Sequence, residues 1–229
     1  MQLPSLRLAW VSTLSLVALM LWDRSGLDLA LALATGDAQG FPLRDHWMLT
    51  SVLHTGAKYL GWLLVVWMCV AVAWPPAALR RLPLPRRVQL AATALLASAL
   101  VTLLKAGSHT SCPWDLHEFG GVATQVSHWL GWMTSDGGAG SCFPAGHAST
   151  GFAFLGGYFA LRDDMPQLAR TWLAAALVAG LALGIAQQLR GAHFMSHTLW
   201  TAWLCWMAAW LTDPVFSRPR RLPVAGAAQ

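Results

Sequence analysis

Apolar residues run in stretches long enough to cross a bilayer, and the polar residues gather between them. Hydrophobic windows of roughly 17–22 residues fall near 6–22, 58–77, 89–105, 147–162, 171–189 and 197–213. Each can span a hydrocarbon core about 30 Å thick at 1.5 Å per residue. The pattern predicts an all-α bundle of six transmembrane helices, forming one integral membrane domain over residues 1–229 without repeats or low-complexity tracts. The connections are uneven. Those near 23–57 and 106–146 are long, whereas the segment from Leu79 to Val88 is short and rich in arginine and proline. Long loops in compact proteins tend to carry function. The first long segment mixes apolar residues with Asp45, His46 and His54; an interfacial amphipathic helix and a plain connector packed on the bundle both fit it.

Composition agrees with the pattern. The chain is 56% hydrophobic and 11% charged, where soluble domains carry about 25% charged residues. Its basic residues are lopsided. Counted alternately from a cytoplasmic N-terminus, Arg7, Arg80, Arg81, Arg86, Arg87, Arg162, Arg170, Arg218, Arg220 and Arg221 fall on one side. Only Arg24, Arg44, Lys58, Lys105 and Arg190 fall on the other. The positive-inside rule makes the first side cytoplasmic and puts both termini there. The net charge of +5 is mostly this topology signal and gives no reason to invoke nucleic acid. Arg7 and the following apolar run resemble a signal peptide, but the run ends in Leu21-Trp22-Asp23 without a small-x-small cleavage site, so a retained helix is expected. All eight histidines fall on the outer side, which locates the chemistry at the outer membrane boundary.

Three polar clusters interrupt the apolar spans there. Lys105 ends the third span and is followed by Cys112-Pro113; a lone lysine in such a place usually snorkels. Pro144-Ala145-Gly146-His147 sets a turn that opens a helix, presenting backbone N–H groups and a dipole end to an anion, with His147 placed to donate a proton. Arg190 and His193 close the fifth span three residues apart. Ionisable groups at membrane depth are costly and usually functional. Cys69 and Cys205 lie within spans and read as small apolar core residues. Cys112 and Cys142 share the outer loop; an oxidising compartment would permit a disulfide there, and free thiols are the alternative. Trp200, Trp203 and Trp210 read as belt or packing residues.

In these clusters the chain resembles the type 2 phosphatidic acid phosphatases (PAP2), which share a core with vanadium haloperoxidases. That family's pattern is a lysine, six residues and Arg-Pro; then Pro-Ser-Gly-His; then Ser-Arg, five residues, a histidine, three residues and an aspartate. Lys105 and Pro113, then Pro144, Gly146 and His147, then His193 fit it in order and spacing over about residues 100–200. Four positions depart. Cys112 replaces an arginine, Ala145 the serine, Gln187 the second arginine and His197 the aspartate. The resemblance implies a PAP2/haloperoxidase-like core and metal-free phosphoryl transfer without a cofactor. In it His193 is the nucleophile, His147 the general acid, and His197 or Asp115 the group orienting His193. Phosphate would be held by Lys105, Arg190 and the backbone at Ala145 and Gly146.

The expected activity is hydrolysis of a phosphorylated or pyrophosphorylated lipid at the periplasmic face of a bacterial inner membrane. Undecaprenyl pyrophosphate, lipid A 1-phosphate, phosphatidylglycerol phosphate and phosphatidic acid all fit, and the bilayer is the only partner the sequence implies. A lipid-to-lipid phosphotransferase and a non-catalytic scaffold or transport accessory are the alternatives. A metal-dependent hydrolase would use the i, i+4 pair His193 and His197 with His109, His117, Asp115 and Glu118 nearby, yet no HExxH motif occurs.

Overall fold

Two of the long helices carry proline at their start, where it has no N–H to lose in a first turn and a φ already set for a helix. In the computed structural model, which describes residues 3–217, these are α4 (Leu84–Gly107) and α7 (Pro166–Leu189), each with proline in its first turn. Before them come α1 (Leu3–Arg24), the short α2 (Leu27–Leu33) and α3 (Ala57–Ala73). Between α4 and α7 a helical run comprises α5 (Gly146–Phe152), a 3-10 turn at Ala153–Leu155, and α6 (Gly156–Leu161). The last element is α8 (Met195–Phe216). Strands are absent among the described residues.

Leu6–Arg24, Met48–Ala73, Leu84–Gly107 and Pro166–Leu189 are each long and apolar enough to cross a membrane. The other two expected spans differ. The run from Gly146 to Leu161 is broken by its 3-10 turn, and α8 is made more polar by His197, Asp213 and its tryptophans. The bundle is apolar on the outside as well. Leu60, Leu63, Val66, Leu103 and Val178 are exposed, an area of greasy surface that suits lipid and not water.

The second span begins earlier than the hydropathy predicts. A π-helix over Met48–Gly56 runs directly into α3, so His54, expected in the outer connecting segment, sits on the span itself. The core lies where α4, α5, α6 and α8 meet, around Phe152, Leu155, Leu161, Ala94 and Ala97. α5 meets α7 at Gly151 and Gly180, where a Cβ on Gly151 would stand 2.2 Å from the Gly180 nitrogen; small residues let helix backbones approach this closely. Cys205 is buried, whereas Cys69 is exposed on α3 and is no core residue. The α8 tryptophans do pack. Trp203 and Trp206 donate from Nε1 to the Ser12 carbonyl (3.1 Å) and Ser12 Oγ (2.8 Å) of α1.

The end opposite the histidines is tied by charge. Asp213 of α8 accepts from Arg86 of α4 and from Arg162, each at 2.7 Å, and Gln89 Nε2 adds a bond at 2.9 Å. Arg86 also reaches Asp163 at 2.7 Å. Two of the arginines counted as a topology signal are therefore bound within the protein. Arg218, Arg220 and Arg221 lie outside the described residues.

Candidate active site

The outer loop after α4 and the segment before α5 are laced together, and this lacing carries Lys105 to the Gly146-His147 turn. Ser141 N–H donates to the Ser108 carbonyl (2.7 Å) and Cys142 N–H to the Thr110 carbonyl (2.9 Å). Asp136 accepts from Ser111 N–H and Oγ, both at 2.6 Å. Cys112 and Cys142 are joined by a disulfide, with Cα atoms 5.2 Å apart. A Cβ on Gly146 would stand 3.5 Å from Lys105 Cδ, so the lysine stem lies across the start of α5. Changing both cysteines to serine opens a loop of 30 residues, expected to cost about 3–4 kcal/mol in the chain-entropy account. A thermal melt in detergent reads this, and an unchanged midpoint would contradict it.

The third cluster is fixed by a turn that only glycine fits. Gly191 adopts φ +73°, and a Cβ there would meet the Phe41 ring at 2.2 Å. Its carbonyl accepts from Trp114 N–H at 3.0 Å, tying the Cys112-Pro113 segment to the α7–α8 turn. Asp28 of α2 accepts from Ser196 N–H at 2.9 Å, capping the start of α8 from another element. The turn thus leaves His193 buried beside the disulfide, its Nδ1 3.4 Å from Cys142 Sγ. A disulfide sulfur has no proton to give, so Nδ1 accepts no hydrogen bond from it. Burial, then the nearby Lys105 charge, hold the His193 imidazole well below its ordinary value, which favours its neutral form.

Not all the expected partners meet. Ala145 N–H donates to the His197 carbonyl at 3.3 Å, which commits that amide inside the protein and leaves Gly146 as the backbone donor of the turn. Asp115 accepts from its neighbour Trp114 Nε1 at 3.1 Å, and no hydrogen bond joins it to His193. Gln187, at the motif's arginine position, accepts from Arg190 Nη1 at 3.0 Å, while Arg190 Nε donates to the Arg44 carbonyl at 2.7 Å. Two of the three guanidinium nitrogens of Arg190 are therefore used by the protein.

His197 stands edge-on to His193, ring centroids 5.8 Å apart, and its Nδ1 has no hydrogen-bond partner among the described residues. On its far side His128 lies 5.8 Å away, stacked on Phe143 at 4.1 Å, with its Nε2 3.4 Å from Asp23 Oδ2. Asp23 also accepts from Trp129 Nε1 (3.1 Å) and Trp200 Nε1 (3.0 Å). A row of three imidazoles thus ends on a buried carboxylate of α1. Cys142, His193 and His197 place potential metal-ligand atoms within 4.8 Å of one another, but the sulfur is bonded to Cys112 and is no thiolate.

One residue the sequence did not single out for chemistry lies against the site. The His54 ring, carried by the π-helix, sits 3.7 Å from the His147 ring, centroid to centroid. Beside it a cleft of about 250 Å³ opens between α3, α4 and α5, lined by Lys58, Ser98, Thr102, Gly146, His147 and Thr150 among others. The signal was the His54–Lys58 spacing of four, which places both on one helical face.

The site-bearing part of the chain also matches a known family by sequence. The model of the family described as the PAP2 superfamily matches residues 87–221, more than half of the chain. No curated protein matches, and no solved structure does.

Proposed function

Because the chain belongs to the PAP2 superfamily, whose members are generally phosphatases acting on phosphorylated substrates, we propose that it is a lipid phosphate phosphatase working through a phosphohistidine. The observation that carries this reading is the convergence of Lys105, the Gly146-His147 turn and buried His193 at one end of the bundle. His193 Nε2 attacks phosphorus, the P–O bond to the leaving group breaks, and His147, which takes up its proton beside the substrate's phosphate charge, gives that oxygen its proton. Water then attacks the phosphohistidine, His147 takes the water's proton, and phosphate leaves. Lys105 and Gly146 N–H stabilise the equatorial oxygens, where most of the catalysis of phosphoryl transfer lies. Arg190 contributes through its charge and the nitrogen the protein leaves unused.

The cleft beside His147 opens along the helices, which suits a substrate arriving sideways from a bilayer. The lopsided arginines support a site at the outer face of a bacterial inner membrane, with the termini inside. The test is phosphate release from lipid mono- and diphosphates by the detergent-purified protein in excess chelator. Retained activity is expected, and no release from any lipid would overturn the proposal in favour of a scaffold. Transfer to a second lipid would appear as a phosphorylated lipid product in place of free phosphate. Lys105→Met should lower kcat/KM by about 10²-fold or more, the scale of one lost oxyanion donor.

A further inference from the structure

We infer that His54 and Lys58 of the second span bind the leaving-group side of the site, and that the substrate is a lipid diphosphate. This deepens the phosphatase reading above and rests on it.

Lys105, His54 and Lys58 all approach the Gly146-His147 turn. Lys105 lies across Gly146, where the mechanism above needs charge for the transferring phosphoryl group. The His54 ring is 3.7 Å from the His147 ring, centroid to centroid and tilted by 30°, and Lys58 follows four residues later in the wall of the cleft. Lys58 has no ion pair or hydrogen bond among the described residues, and no carboxylate lines the cleft. His147 protonates the oxygen that links phosphorus to the leaving group, so whatever carries that oxygen enters the cleft that His147 and Lys58 both line. A monophosphate lipid would place a neutral alkoxy carbon there, opposite an unneutralised ammonium. A diphosphate places its second phosphate there, where Lys58 can pair with it and the Thr150 side chain lines the same cleft.

The local backbone agrees. π-helical turns are rare and cluster at functional sites, and the one over Met48–Gly56 is what carries the His54 ring onto His147. Beyond Lys58 the cleft becomes apolar at Trp62, Val65, Ala153 and Phe154, which suits the first carbons of the lipid. In the reaction the His193 Nε2–P bond forms at the terminal phosphorus and the P–O–P bridge breaks. The bridging oxygen leaves on a lipid monophosphate, protonated by His147 and held by Lys58. Water later releases the terminal phosphate.

The test is a pair of lipids with the same tail and one or two phosphates, turned over by the full-length protein in detergent. The wild type is expected to favour the diphosphate in kcat/KM by about 10-fold or more, the scale of one charge-assisted hydrogen bond. Lys58→Gln and His54→Gln should each lower that diphosphate-to-monophosphate ratio, Lys58→Gln by about 10-fold, and Lys58→Arg should restore most of it. A ratio unmoved by Lys58→Gln, or a wild type that prefers the monophosphate, overturns this inference and leaves the phosphatase reading standing. Release from neither lipid overturns both.

Discussion

Replacing His193 with glutamine is expected to abolish turnover, lowering kcat by at least about 10³-fold, because the nucleophile of a covalent mechanism has no substitute. Glutamine keeps a polar group of similar reach in a pocket where His193 is only 3% exposed, so the fold should persist and the melting midpoint should move little. An enzyme that retained full activity would refute the covalent assignment. The wild-type pH profile offers a second check. An imidazole at its ordinary value of 6.5 would lose the neutral form as pH falls through that point. Burial disfavours the charged form, so His193 stays neutral to lower pH, and its contribution to the acid limb of kcat/KM is displaced well below 6.5. An acid limb centred at the ordinary histidine value, and removed by substitution at His193, would contradict the buried placement.

Asp213→Asn is expected to be the most destabilising single change, at about 3–5 kcal/mol, the cost of leaving buried charge without its counter-ion. Its carboxylate side chain is 7% exposed and stands between Arg86 at 8% and Arg162 at 24%. Asparagine keeps the shape and one acceptor but removes the charge that both guanidinium groups face. Asp163 still reaches Arg86, but at 54% exposure it is too well solvated to compensate. The reading is the melting midpoint in detergent, and a midpoint unchanged from wild type would mean that the cluster is solvated and worth little. Arg162→Gln in the same background should recover part of the loss, since it removes one of the orphaned charges.

Hydropathy was enough to find α1, α3, α4 and α7, because a bilayer demands an unbroken apolar length and that demand is written residue by residue. It did worse where the protein itself takes the place of lipid. α8 is packed by tryptophan N–H bonds to Ser12 and Asp23, and those partners are remote in sequence. Hydropathy also placed the start of the second span near residue 58, since Thr50, Ser51, His54 and Thr55 interrupt the apolar residues of Met48–Gly56. In the site, the order Lys105, Gly146-His147, His193 was legible because chemistry restricts residue type at fixed spacing. What was not legible is which donors are already in use. Ala145 N–H is taken by His197 and two Arg190 nitrogens by Arg44 and Gln187, and only the folded backbone reveals such commitments. Two of the counted arginines have a second role that the sequence did not show: Arg86 and Arg162 are ion-pair residues as much as they are a topology signal.

The family match covers residues 87–221, yet Asp28 reaches from before it to cap the helix that follows His193, and Phe41 covers the Gly191 turn. The protein therefore divides unevenly between a family core that carries the candidate site and a leading segment that braces it. Mutations in that leading segment can change how firmly the centre is held without touching any motif residue. Exchanging the segment between related chains would be a route to new behaviour from an unaltered core, and a core expressed without it should be a poor catalyst even with every motif residue in place.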